Sequence, residues 1–378
     1  MYLKKLHLRS FRNYGEQQVE FNTQKTILLG NNAQGKSNLL EAVELLSTLK
    51  SHRVSRDRDL VMEGATVGQI TAICEMRYAE QQLALTLRQQ GRRSVILNGE
   101  TLRRNLDLLG VLNSVQFSTQ DLELVRGSPE NRRNWVDALL VQLEPIYAYI
   151  LQQYQQVLRQ RNALLKQISQ REVKIETGNS VENQQLKLWD EQLAATGARV
   201  TRRRARVIER LAPIALQWHA NISGKTELLA IKYAPNVQWS VDEPEVVREA
   251  FIEKIQQRRT AEINLGTTVV GPHRDEIEFT INQTPAKSYG SQGQQRTLVL
   301  AIKLAELKLI EEVVGEPPLL LLDDVLAELD PQRQNQLLLA LGDRFQTLIT
   351  TTHLNVFEPK WLKESQVLFV EAGKIRKG

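Results

Sequence analysis

The eight residues Gly30-Asn31-Asn32-Ala33-Gln34-Gly35-Lys36-Ser37 constrain this chain more than any other segment. They match G-x-x-x-x-G-K-S, a phosphate-binding loop. The pattern has meaning only between a strand and a helix, and both are written beside it. Thr26-Ile27-Leu28-Leu29 is a short apolar run before the loop, and Asn38-Leu39-Leu40-Glu41-Ala42-Val43 follows a helical pattern after it. The glycines let backbone N–H groups turn inward around an anion, and the helix start adds its positive dipole end. Lys36 is placed to neutralise the β and γ phosphates of ATP, and the Ser37 hydroxyl to ligate Mg²⁺. A chance glycine-rich turn would not bring the strand and the helix with it.

Such a loop needs carboxylates from a neighbouring strand. Residues 319–322 are all leucine and end in Asp323-Asp324. Continuous apolar runs suit buried parallel strands, whose carboxyl ends gather ligands. Asp323 is expected to bind Mg²⁺, directly or through water. Asp324 is placed to orient or deprotonate the attacking water. Ser291-Gln292-Gly293-Gln294-Gln295-Arg296 precedes an apolar helix. A serine N-cap and a glycine make that helix start an anion-binding terminus, so Ser291, Gly293 and Gln294 are expected nucleotide contacts. Ala327-Glu328-Leu329-Asp330 follows the acidic pair, and Pro331 restarts a helix. Thr350-Thr351-Thr352-His353 then closes a strand with a histidine that could hydrogen-bond a γ-phosphate. A lone histidine is more often structural, and only its place after the next strand raises it to a catalytic candidate.

The rest of the chain supplies the scaffold. Ile70, Ala72, Cys74 and Met76 alternate, as do Leu83, Leu85 and Leu87, and Val95-Ile96-Leu97 runs into the turn pair Asn98-Gly99. Residues 65–104 therefore read as an antiparallel meander. From Ile146 through Ile150, Tyr154, Val157, Leu164 and Ile168, and again from Trp189 to Ile214, apolar residues recur on steps of three, four or seven. These are two amphipathic helices of a hairpin at about 146–218, with a turn at Gly178-Asn179-Ser180. Each arm would have about 25–30 residues, or roughly 40 Å. Ile277, Phe279 and Ile281 alternate again, and Leu348-Ile349 lie in a short apolar run. The expected fold is α/β: an ATPase lobe of residues 1–115 and 266–378, with a mixed sheet and a meander. An α-helical lobe, 116–265, interrupts it and carries the short hairpin.

No stretch approaches the ~20 apolar residues that span a bilayer, and the start reads as a strand, not a signal peptide. Cys74 is the only cysteine, which suits a reducing, cytoplasmic compartment. The net charge of +5 is modest, but arginines clump at 92–93, 103–104, 132–133, 202–204 with 206, and 258–259. Clumped arginines suit phosphate backbones, although any one pair can equally be a solvated face.

The order of these motifs resembles the plan of ABC-type ATPases, and Asn38 after Gly35-Lys36-Ser37 resembles their SMC-like branch. Four further segments extend the likeness: Phe11-Arg12-Asn13-Tyr14, Arg126-Gly127-Ser128-Pro129 leading to Arg132-Arg133, Gly271-Pro272-His273-Arg274-Asp275, and Ser291 to Arg296. With them the chain resembles, over nearly its whole length, the RecF family of bacterial recombination-mediator ATPases. The resemblance implies an ATP-dependent dimer with slow turnover that binds gapped or single-strand/double-strand DNA. It also implies RecO- and RecR-like partners, recombinase loading, and links to replication restart and the SOS response in the nucleoid. Arg132, Arg133, Arg202, Arg203 and Arg204 are the DNA contacts first expected. ABC-type heads carry a glutamine that senses Mg²⁺ and nucleotide, and both Gln116 and Gln120 lie in the right region. In such a head the signature helix lies too far from its own phosphate loop to reach the bound ATP. One loop and one signature per chain then require a homodimer to complete each site. Asn38 and the helical insertion argue against a transporter subunit, the short hairpin against a long SMC-like clamp, and the lack of a further metal-ligand cluster against a nuclease.

Overall fold

The computed structural model describes residues 1–170, 181–224 and 226–377. The chain opens with β1 (Tyr2–Phe11), β2 (Tyr14–Glu20), β3 (Lys25–Leu29) and α1 (Lys36–Thr48). β4 (Val67–Glu75), β5 (Glu80–Arg88), β6 (Ser94–Leu97), β7 (Glu100–Thr101) and β8 (Ser114–Ser118) follow. Helices α2 (Glu123–Arg126), α3 (Pro129–Leu143), α4 (Ile146–Gln170) and α5 (Val181–Ile222) lead to β9 (Leu229–Ala234) and α6 (Pro244–Leu265). Next come β10 (Glu276–Ile281), β11 (Thr284–Pro285), α7 (Ala286–Tyr289) and α8 (Gln292–Val314). The chain closes with β12 (Leu319–Asp323), α9 (Pro331–Leu341), β13 (Thr347–Thr351), α10 (Pro359–Lys363), β14 (Ser365–Glu371) and β15 (Lys374–Lys377).

Two compact units emerge. The first holds Met1–Leu122, Ile214–Leu228 and Ser291–Gly378, and the second holds Glu123–Pro213 and Leu229–Gly290. Residues 116–122 and 214–228, expected in the helical lobe, fall in the first unit, and residues 266–290, expected in the ATPase lobe, fall in the second. The reason for the latter is strand pairing: β10 is the middle of an antiparallel sheet in the order β11-β10-β9, so it joins the segment that supplies β9.

The first unit contains two six-stranded sheets. One is antiparallel throughout, in the order β2-β1-β4-β5-β6-β7, and includes the expected meander. Leu83, Leu85 and Leu87 on its inner face are fully buried, as the period of two requires. Asn98 and Gly99 both take positive φ in the tight β6–β7 turn, a conformation these residues tolerate. The other sheet runs β15-β14-β3-β13-β12-β8, with all pairs parallel except β14–β15. Residues 319–322 of β12 are completely buried, which explains their unbroken leucine run. The register sets Asp323 opposite Thr350 on one side and Ser118 on the other, so the carboxyl ends of three strands are level. Gln346 joins the sheets as a surrogate strand residue, accepting from Leu3 N at 2.5 Å and donating to Leu3 O at 2.9 Å.

Helix α4 has the expected length, 25 residues, but α5 runs for 42, its residues up to Pro213 in the second unit and the rest in the first. Helix α5 begins at Val181, ahead of the periodic pattern, which starts only at Trp189 because residues 181–188 are mostly polar. One apolar residue there is enough: Leu186 is fully buried against Leu165 and Ile168. At its other end α5 continues through Pro213. The turn assigned to Gly178-Asn179-Ser180 lies outside the described residues. A buried ion cluster ties the second unit together, with Arg161 donating to Asp190 at 2.9 Å, Glu262 at 2.6 Å and Thr268 Oγ1 at 2.9 Å.

Candidate nucleotide-binding site

The phosphate loop begins where β3 ends. A Cβ on Gly30 would stand 2.3 Å from the Val370 carbonyl oxygen, so only glycine fits this approach to β14. Gly35 caps α1 at φ 117°, a left-handed conformation that also favours glycine. Lys36 folds back over its own loop, donating to the Gly30 carbonyl at 2.7 Å and the Asn31 carbonyl at 2.9 Å. Burial lowers the pKa of this ammonium, while the Asp324 and Asp323 carboxylates oppose the shift. The loop carbonyls thus hold the cation near the place where phosphate charge would sit.

The Phe11-Arg12-Asn13-Tyr14 segment acquires a physical role. Asn13 Nδ2 donates to the Gln34 carbonyl at 2.9 Å, and its Oδ1 accepts from Asn38 Nδ2 at 2.8 Å. Tyr14 Oη donates to the Gly35 carbonyl at 2.9 Å. Arg12 makes a two-pronged pair with buried Glu41 on α1, at 2.9 and 2.7 Å. From the other end of the chain, Ala372 N donates to Gln34 Oε1 at 2.7 Å and Gly373 N to the Gln34 carbonyl at 3.0 Å. The β1–β2 corner and the β14–β15 corner therefore brace the loop from two sides.

Ser37 and Asp323, separated by 286 positions, meet directly: Ser37 Oγ donates to Asp323 Oδ1 at 2.7 Å. Thr350 Oγ1 donates to the same carboxylate oxygen at 2.8 Å and accepts from Asp324 N at 2.9 Å. Asp324 takes φ 60°, which is uncommon outside glycine and is tolerated best by Asp and Asn. His353 is anchored through its backbone to Thr351 Oγ1, and the residue is exposed at the end of β13.

The two glutamines differ in setting. Gln116 lies within β8 opposite Leu321, with Oε1 buried and unpartnered among the described residues. Its Nε2 is 3.5 Å from His52 Nε2, and His52 Nδ1 is 2.7 Å from Glu44. Burial would lower the His52 pKa, but Glu44 raises it on balance. Gln120 is exposed in the turn just past β8. The sequence reading did not single out His52 or Glu44, whose pairing depends on how the chain turns after α1.

Ser291 caps α8 in a reciprocal box. Its Oγ accepts from Gln294 N at 3.2 Å, and Gln294 Oε1 accepts from Ser291 N at 2.8 Å. The turn is exposed at Ser291 and Gln292, and residues 297–305 that follow it are buried. A Cβ on Gly293 would lie 3.4 Å from Arg333 Nη2. Arg333 also donates to Thr297 Oγ1 at 2.8 Å, and its N–H is capped by Asp330 at 3.0 Å. The segment after the acidic pair is thereby tied to the signature helix.

The arginines first expected to meet DNA are engaged elsewhere, and two must be withdrawn. Arg132, 6% exposed, makes a two-pronged pair with Glu276 at 2.6 and 2.9 Å. Arg204, 3% exposed, grips Asp137 through two 2.8 Å bonds and reaches the Pro272 carbonyl and Asp275. Arg204 cannot meet a phosphate without leaving the buried Asp137 and Asp275 carboxylates unpaired, and Arg132 cannot do so without giving up the half-buried Glu276. Arg133 donates to the Asp275 carbonyl at 2.8 Å, Arg202 to Asp242 at 2.6 Å and Arg203 to Glu144 at 3.1 Å. Arg204→Ala is expected to destabilise the second unit by about 3–5 kcal/mol through that lost pairing. Chemical unfolding followed by circular dichroism would check it, and unchanged stability would contradict the assignment. The Gly271-to-Asp275 motif belongs to the same network: Tyr154 Oη and His273 Nδ1 are 2.5 Å apart, and Asp275 accepts from Asn236 N at 2.7 Å.

The family model described as RecF/RecN/SMC N terminal domain matches residues 2–376. A curated relative from Gloeothece citriformis (strain PCC 7424), named DNA replication and repair protein RecF, is 73% identical over 382 residues and covers 100% of both chains. A solved structure described as the recombination mediator protein RecF-ATP in the RecFOR pathway superposes with a TM-score of 0.89. It is 33% identical and covers 100% of this chain and 97% of the other. An Smc head domain with an extended coiled coil from Pyrococcus furiosus shares the fold, at 17% identity and TM-score 0.55, covering 99% and 95%. The chain has the α/β ABC-type ATPase head fold of the SMC-like branch.

Proposed function

The chain belongs to the RecF/RecN/SMC N-terminal-domain family and within it to the RecF proteins, and from that premise we propose an ATP-driven dimeric switch that binds DNA in replication and recombinational repair. The observation that carries the reading is the 2.7 Å contact between Ser37 Oγ and Asp323, beside a loop whose Lys36 is already turned inward. Mg²⁺ favours hard oxygen ligands and keeps several waters. The Ser37 hydroxyl and the Asp323 carboxylate are such a pair, and they would hold the ion. The ion would neutralise phosphate charge, while Lys36 and the loop N–H groups bind and orient the phosphates. Asp324 would accept the proton of the attacking water, with slow hydrolysis resetting the switch. His353 would contact the γ-phosphate from the end of β13. Of the two glutamines, Gln116 has the buried, unpartnered oxygen that a metal-bound water could satisfy. Partners resembling RecR and RecO fit the pathway in which the ATP-bound relative was described. No described helix is long and apolar enough to cross a membrane.

The DNA-facing surface moves with the corrected arginines. Residues 50–59 and 88–107 hold nine Lys and Arg against four Asp and Glu, a surplus of five that equals the surplus of the whole chain, 49 against 44. Contacts bring the two segments together. Arg93 donates to Asp57 Oδ2 at 2.8 Å and to the Leu49 carbonyl at 2.5 Å, Arg88 to the Arg92 carbonyl at 2.8 Å, and Asn105 to the Arg93 carbonyl at 3.4 Å. Arg56, Arg58, Arg92 and Arg103 are exposed around this knot. Such a cluster suits a phosphate backbone.

Binding to gapped, single-stranded and duplex DNA, with and without ATP, tests the reading; ATP-independent binding to all three would overturn it. The double change Arg92→Glu, Arg103→Glu should flatten the slope of log affinity against log salt by about 1.8 on duplex DNA, from about 0.9 per phosphate contact. ATP binding should be unchanged. An unaltered slope would move the DNA interface elsewhere.

A further inference from the structure

Ser291 is useful across a dimer only if its hydroxyl is held facing outward. In the first turn of α8 that hydroxyl accepts from Gln294 N, which leaves its own proton to donate to an incoming phosphate. The hold depends on the Gln294 side chain, whose Oε1 must face Ser291 N. An amide can flip, because its oxygen and nitrogen ends have the same shape. The other end of this amide decides the matter: Gln294 Nε2 donates to Glu227 Oε1 at 2.9 Å. An ionised carboxylate only accepts, so it admits the NH₂ end and rejects the carbonyl end.

We propose that Glu227 is a positioning residue for the signature turn, fixing the Gln294 amide so that the reciprocal box with Ser291 stays closed and the serine hydroxyl is presented for trans contact. Glu227 lies in the loop after α5, and residues 214–228 belong to the same unit as α8. Behind it His219 is fully buried, with Nε2 3.6 Å from Glu227 Oε2 and neither ring nitrogen hydrogen-bonded among the described residues. Burial lowers the His219 pKa against the opposing pull of Glu227, and at 3.6 Å the ring makes no hydrogen bond that competes with the Gln294 amide for this carboxylate. The end of α5 is thus part of the signature apparatus. Charge-assisted hydrogen bonds of this kind are the stronger class, and the partly buried setting limits competition from water.

The proposal rests on the pairing model for its function, but its local part does not. Amide hydrogen exchange in the nucleotide-free protein reads the turn directly. Glu227→Ala should speed exchange at Ser291 and Gln294 by about ten-fold, while residues 298–310 of α8 and the α1 amides stay protected. Glu227→Gln retains an acceptor carbonyl and should keep most of the protection. Unchanged exchange at Ser291 and Gln294 in the alanine variant would overturn the proposal, as would loss of protection along the whole of α8. In the second arm, Glu227→Ala should bind ATP as wild type does but need about ten-fold more protein for ATP-driven dimers, with Glu227→Gln restoring them. Unaltered dimerisation despite a loosened turn would also overturn it. Failure of the wild-type protein to dimerise would remove the pairing model and leave the exchange result to decide Glu227 alone.

Discussion

Lys36→Ala is expected to weaken ATP binding by about 10- to 100-fold, from roughly 1.5–3 kcal/mol for hydrogen bonds to a charged group. The Lys36 ammonium is already in place in the loop. It is buried, it is held by the Gly30 and Asn31 carbonyls, and its pKa is lowered by desolvation. A cation already withdrawn from water meets phosphate with little further desolvation. Alanine removes the charge and leaves a loop whose N–H groups still face the phosphates, so binding falls without vanishing. Asp324→Asn should behave differently. Asparagine tolerates the φ of 60° found there, so the backbone of the acidic pair is preserved. ATP should bind as before, while hydrolysis falls by about 10²–10⁴, the range attributed to a positioned general base. Titration calorimetry with ATP, paired with phosphate release, separates the two variants. Equal loss of ATP affinity in both would contradict the division of roles between loop and carboxylate.

What could be read from the sequence follows from how local each feature is. The phosphate loop, the β12 leucine run and the period-two strands of the meander are written in consecutive residues, and the structure forms them where they were expected. The strand order is not local. Nor is the bracing of Gln34 by Asn13 and Ala372, which joins opposite ends of the chain. The arginine clusters show the limit most clearly. Arg204 and Arg92 look alike in sequence, each beside another arginine. Burial separates them, because Asp137 and Asp275 converge on Arg204 from distant segments, whereas Arg92 sits exposed beside a tight glycine turn. The length of α5 escaped for a related reason. A polar helix segment is held by a single buried leucine, too weak a periodic signal to extend the pattern.

Ser291→Arg should leave ATP binding to the monomer intact and abolish ATP-driven dimers. Each chain has one phosphate loop and one signature turn, and in the proposed two-fold pair each loop would meet the partner's turn. In that arrangement the γ-phosphate would be shared by the N–H groups of the α8 start and the Ser291 hydroxyl. ADP lacks this phosphate, so it has no preferential hold on the paired state, and a nucleotide shifts an equilibrium only by its differential affinity. ATP should therefore promote dimers and ADP should not. Arginine at position 291 removes the hydroxyl and places a long side chain at the exposed turn. The loss of the cap costs about 1 kcal/mol of helix stability. That should be tolerated, because the following turns of α8 are buried. Turnover should fall by about 10²–10³, the scale for removing one preorganised donor from a developing charge. Sedimentation with ATP, with ADP and without nucleotide gives the result. A wild-type monomer that hydrolyses ATP at a specific rate independent of protein concentration would overturn the shared-site model, because no partner would then be needed to complete the chemistry.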